Sequence, residues 1–127
     1  MANKMDELVT TLRDEVGDEL RTVFYGDFKT REYNIVYAEE AVLSQYSAED
    51  TEQIVDDISL EQVGASQQES LFEPIGSLEF TVRYFEDGIN VMAWGFHGIP
   101  TIYIGLGSDE ETVPTVIEAV RRLSDDD

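Results

Sequence analysis

An α+β fold, with one five-stranded antiparallel sheet flanked by helices in the order α-β-β-α-β-β-β-α, follows from three features of the sequence. Residues 78–107 read as a three-stranded antiparallel meander. Residues 20–25 and 33–37 read as a second hairpin with a longer loop. Segments with apolar residues at helical spacing lie before, between and after these strands. Hairpin-connected strands flanked by helices make an antiparallel sheet with helices packed on it.

The meander is the densest apolar stretch, so it is expected to form the middle and one side of the sheet. Asp87-Gly88 between two apolar runs predicts a type I′ turn, which needs positive φ at both central residues. The second turn, Gly95 to Pro100, is looser and is punctuated by Gly and Pro. With Asp87-Gly88 as a two-residue loop, Glu86 faces Ile89, Tyr84 faces Val91 and Val82 faces Ala93. One face then carries Leu78, Phe80, Val82, Tyr84, Val91 and Ala93 as core. The other carries Thr81, Arg83, Phe85, Asn90, Met92, Trp94 and Phe96.

The first helix is read over 4–16, with Met5, Leu8, Val9, Leu12 and Val16 on one side and Gly17 ending it. Leu20 to Tyr25 and Tyr33 to Tyr37 are rich in β-branched and aromatic residues, as strands are. A helical region runs from about Glu39 to Glu61. Its clearest part starts at Ser47, an N-cap with Asp50 at the third helical position. Ile54, Val55 and Ile58 make a narrow apolar stripe. Residues 61–76, with Gly64, three glutamines and Pro74, read as a loop or short irregular helix anchored by Leu71 and Phe72. Ser108 to Glu111 has a capping-box pattern before a closing helix bearing Val113, Val116, Ile117, Val120 and Leu123. Pro114 fits its first turn if Thr112 is the cap. The chain is expected to be a single domain over 1–127, with a disordered acidic tail at 125–127.

Composition narrows the function classes. A chain of 127 residues can bury roughly two-thirds of its unfolded surface without staples. It has no cysteine, which excludes disulfides, thiolate metal sites and cysteine nucleophiles. No apolar run has the length of a membrane span, and the amphipathic N-terminus does not resemble a signal peptide, so a cytoplasmic protein is expected. Acids number 28 against 8 bases, a net charge of −20, and only Lys4 and Lys29 are lysines. Such a charge repels itself at ordinary ionic strength. In molar salt the Debye length falls to about 3 Å and the repulsion largely disappears. Acids spread over every segment point to a salt-rich cytoplasm rather than to a nucleic-acid mimic, which would concentrate them in a stripe. With no basic patch to release counterions, direct nucleic-acid binding is not expected.

The element order resembles the roadblock and longin group of profilin-like folds over nearly the whole chain. In addition, Tyr46-Ser47, Ile54-Val55-Asp56-Asp57 and Val82-Arg83-Tyr84-Phe85-Glu86-Asp87 resemble a family of small halophilic-archaeal proteins of unassigned activity. The roadblock resemblance implies dimerisation through sheet edges and helices, and a platform role.

No catalytic constellation emerges. His97 is the single histidine, sits in a turn, and has no orienting partner near it in sequence. Gly105-Leu106-Gly107-Ser108 fits neither phosphate-loop spacing, and Asp109, Glu110 and Glu111 would repel a phosphate. Paired acids at Glu39-Glu40 and Asp56-Asp57 lack the alternating pattern of a calcium loop. No catalytic, metal or cofactor residue is therefore assigned. The candidate interaction or ligand face is Arg83, Phe85, Met92, Trp94 and Phe96. Its plainer reading is core beneath the middle helix, with Arg83 paired to a local acid. The expected function is a non-enzymatic interaction or scaffold module whose partner is a second copy or another protein. The alternative is a small-molecule sensor with a pocket between sheet and middle helix, involving Arg83, Trp94 and Tyr84.

Overall fold

A computed structural model describes the backbone of residues 2–125 and the side chains of residues 4–123. The elements run α1 (Ala2–Val16), β1 (Leu20–Asp27), β2 (Glu32–Ala38), α2 (Glu40–Leu43), α3 (Ala48–Leu71), β3 (Phe80–Phe85), β4 (Gly88–Trp94), β5 (Thr101–Leu106) and α4 (Thr112–Asp125). The five strands form one sheet in the order β2-β1-β5-β4-β3, and every neighbouring pair is antiparallel. This is the expected α+β architecture, with α2 as an added single turn ahead of the middle helix. The meander supplies the central strand β5 and one side of the sheet, as its apolar density predicts.

Helices pack on both faces of the sheet. α1 and α4 pack side by side on the first face, where Met5, Leu8, Leu12, Val116 and Val120 meet Leu20, Val23, Val91, Ala93, Ile102 and Ile104. α3 covers part of the second face through Val55 and Ile58, which meet Phe24, Phe28, Met92 and Tyr103. Because each central strand is buried on both sides, β5 reads as a continuous apolar run, and all six of its residues are buried.

Three local predictions change. The meander turn is Glu86-Asp87, not Asp87-Gly88: Phe85 pairs with Gly88, Tyr84 with Ile89 and Val82 with Val91. No residue from 85 to 88 has positive φ, so the type I′ turn is not formed. The pairing therefore slips by two residues. A two-residue slip leaves every side chain on its expected face, since strand side chains alternate with a period of two. Tyr84, expected in the core, is 60% exposed, because it sits on the edge strand beyond the reach of α1 and α4.

The second change is α3, which runs unbroken for 24 residues to Leu71, into the stretch expected to be a loop or short irregular helix. Leu71 and Phe72 do not anchor it; they are 75% and 57% exposed. Its start is as expected: Ser47 Oγ accepts from Asp50 N while Asp50 Oδ2 accepts from Ser47 N, both at 3.0 Å. The third change concerns the end of β4. That strand stops at Trp94 because Gly95 takes φ +75 and turns the chain, so the alternation does not continue to Phe96. At the C-terminus α4 begins at Thr112 with Pro114 in its first turn, Asp125 closes it, and residues 126–127 lie outside the described residues.

Candidate functional site

The second face of the sheet has a covered half and an open half. α3 seals the half near β4's C-terminal end, where Met92 is fully buried. Trp94 is half-buried there, and its Nε1 donates to Thr81 Oγ1 at 2.9 Å across the β3–β4 pair. Gln62 ties α3 to this half. Its Oε1 accepts from Phe28 N at 3.0 Å and from Thr101 Oγ1 at 2.9 Å, and its Nε2 donates to Asp27 Oδ1 at 2.9 Å. The Gln62 bond is the main reason that the Asp27 carboxyl is held below its ordinary value. Nothing in the sequence pattern marks Gln62, because a single glutamine on a helix carries no periodic signal.

Arg83 joins β3 to α3. Its Nη2 lies 2.9 Å from Asp57 Oδ2 and its Nη1 lies 3.6 Å from Glu61 Oε2, acids one helical turn apart. Its cross-strand partner is Asn90, not Met92, because of the two-residue slip. The guanidinium has Phe85 as its aromatic neighbour, at 5.8 Å, while Trp94 is committed to Thr81. The Arg83 Nε is buried and has no hydrogen-bond partner.

Four of the five candidate residues, Arg83, Phe85, Met92 and Trp94, share the second face, with Phe85 57% exposed. Phe96 does not. It packs on Phe80 with ring centroids 5.2 Å apart, against the first-face core.

In the open half, a groove of about 640 Å³ runs between the sheet and the chain from α2 to the start of α3. Its lining includes Thr22, Asn90, Tyr103 and Gly105 from the sheet and Val42 and Tyr46 from the α2–α3 segment. At Gly105 a Cβ would stand 2.5 Å from Thr22 Oγ1, so only glycine leaves this hydroxyl in place. Tyr103 OH donates to Asn90 Oδ1 at 2.9 Å. Burial pushes the phenol up to about 12. Of the three residues expected around a pocket, Arg83 lines this groove, whereas Trp94 and Tyr84 do not.

Among the described residues, no group of three or more His, Asp or Glu side chains is arranged to hold a metal ion. No helix among them is long and apolar enough to cross a membrane. His97 is half-buried in the Phe96–Gly98 turn at φ +57. No curated protein and no solved structure matches the chain. Residues 6–125 match the model of DUF7522, a domain of unknown function, and the chain belongs to that family.

Proposed function

We propose that this protein is a non-enzymatic interaction module that works as a homodimer in a salt-rich, halophilic cytoplasm, in the manner of roadblock-like platforms. The observation that carries the reading is a neutral apolar strip on an acidic surface. On α3, Leu60 is 73% exposed, Val63 41% and Leu71 75%. These positions recur at helical spacing on the side of the helix away from Val55 and Ile58. From Ser59 to Phe72 no exposed residue is charged. The two acids in that stretch are half-buried: Glu61 lies against Arg83, and Glu69 accepts from Leu78 N at 3.0 Å.

Charge decides the choice of partner. A chain of −20 repels its own copy wherever acids face each other, so self-association requires a face without them. The outer side of α3 is such a face, and a two-fold contact places the same strip on both partners. The aromatic second face of the meander is not available for this contact at Met92 and Trp94, because α3 covers them. The salt-rich setting is supported by the spread of acids, and the roadblock-like reading by the element order.

Light scattering in 2 M KCl tests the dimer. The expected mass is twice the 14.4 kDa of one chain, and the double variant Leu60→Glu/Leu71→Glu is expected to return it to one chain with its circular dichroism unchanged. A native protein of single-chain mass at about 100 µM would sink the proposal.

A further inference from the structure

The groove holds two arginines whose donors are not fully used. With 28 acids and 8 bases in the chain, an arginine that finds no carboxylate needs a physical reason. Arg21 is half-buried and lines the groove, yet among the described residues it forms no ion pair and no side-chain hydrogen bond. The backbone holds it there. The register of β1 on β5 shifts between Leu20 and Thr22, so Arg21 is the extra residue of a bulge. Leu20 enters the first-face core, while Thr22 lines the groove on the opposite face. A bulge re-aims the side chain it carries. The Arg21 guanidinium reaches across to β4, where a Cβ at Gly88 would lie 3.6 Å from Nη1. Arg83, on β3 opposite Asn90, lines the same groove and brings a second positive charge to it, shared with Asp57 and Glu61.

The Arg21 donors stay open to the groove, and paired donors on a cation form charge-assisted hydrogen bonds with an anion supplied from outside. We propose that the groove binds a small amphipathic carboxylate. Its head accepts from the Arg21 guanidinium, with the Arg83 charge beside it, and its apolar body lies against Phe24, Ile35, Val42 and Tyr46. The volume of about 640 Å³ lies within the range of sites that enclose most of a small organic ligand. Phe24, Ile35, Val42 and Tyr46 supply the apolar wall such sites have. Guanidinium geometry matches a carboxylate with paired donors. The head group is a monoanion for an electrostatic reason. Asp57, Glu86 and Asp87 also line the groove, and Asp57 is already held by Arg83. A phosphate dianion would meet twice the repulsion from these carboxylates.

Calorimetric titration of the native chain with decanoate and with indole-3-acetate in 0.5 M KCl at pH 8 tests this site, whatever the oligomeric state. Decanoate is the acyl probe and indole-3-acetate the aromatic one. Saturable one-site binding of at least one is expected, with decan-1-ol and decyl phosphate about tenfold weaker or more, the size expected for losing charge-assisted hydrogen bonds. Arg21→Gln should weaken carboxylate binding by a similar factor while leaving the melting temperature within a few degrees. Ile35→Glu, at a position 48% exposed, should abolish binding without unfolding the chain. Absence of saturable heat with both carboxylates at millimolar concentration overturns the proposal. So does decan-1-ol or decyl phosphate binding as tightly as decanoate, or an Arg21→Gln variant with unchanged affinity.

Discussion

Tyr103 lies where the covered and open halves of the second face meet. Its ring packs at 5.6 Å from Phe24 within the α3 cluster, while its hydroxyl reaches Asn90 beside the groove. Burial disfavours the phenolate, and this is why its ionisation moves up to about 12. The consequence for stability has a definite sign. An unfolded tyrosine ionises near pH 10, whereas the folded one does so near 12, so the unfolded state binds fewer protons between these values. The neutral hydroxyl therefore contributes fully below about pH 10, and its contribution is lost as the pH rises toward 12. Urea unfolding at pH 9, 10 and 11 should show the native chain losing stability faster than Tyr103→Phe, with the gap closing as pH rises. Absorbance near 295 nm should show one of the six tyrosines ionising last, and this step should be missing in Tyr103→Phe. Parallel stability curves for the two proteins would rule the assignment out.

At the scale of the elements, α3 shows what sequence patterning can and cannot reveal. Ser47 and Asp50 mark its start, and both reciprocal cap bonds form. Its continuation past Glu61 is hidden because its apolar residues serve two faces. Val55, Ile58 and Ala65 point inward, whereas Leu60, Val63 and Leu71 point outward. Neither set alone makes the broad single stripe that identifies an amphipathic helix. Gly64 adds a breaker signal that is only a modest penalty in a helix, about 1 kcal/mol relative to alanine. The strand faces are legible from alternation, which puts Met92 and Arg83 on the α3 side. The groove is not, because Arg21 reaches it through a bulge and its outer wall comes from a non-repetitive segment around Tyr46. Gly64 gives a direct test of the continuous helix. A Cβ there meets nothing within 4 Å, so Gly64→Ala adds helix propensity without a clash. The expected gain is about 0.5–1 kcal/mol in urea unfolding. A loss of stability at this position would mean that residues 61–71 are not helical in solution.

For the whole molecule, the controlling quantity is the charge of −20. Four arginines tie separate elements together: Arg31 with Asp56, Arg83 with Asp57 and Glu61, Arg121 with Glu79, and Arg122 with Glu15. All but the Arg83 contacts join side chains at least one-third exposed, and exposed pairs contribute only about 0–1 kcal/mol each. They involve few of the 28 acids, so self-repulsion outweighs them at low salt. Salt screens both effects, but repulsion is spread over many long-range pairs, whereas each bridge is short. Net screening should therefore stabilise the fold. Raising KCl from 0.05 M to 2 M should lift the thermal midpoint by about 10 °C or more, corresponding to roughly 2 kcal/mol for a domain of this size. The same screening acts between two copies, so the affinity of the proposed dimer should increase with salt, in contrast to an interface joined by opposite charges. Two controls separate charge from general solvent effects. Sucrose at matched osmolality should shift the midpoint much less than KCl does. A variant with five exposed acids neutralised, Asp6→Asn, Glu7→Gln, Asp14→Asn, Glu110→Gln and Glu111→Gln, should melt higher than the native chain at 0.05 M and respond less to added salt. A midpoint that stays level or falls as KCl rises would show that the acids do not strain the fold, and the case for a salt-rich setting would fall with it.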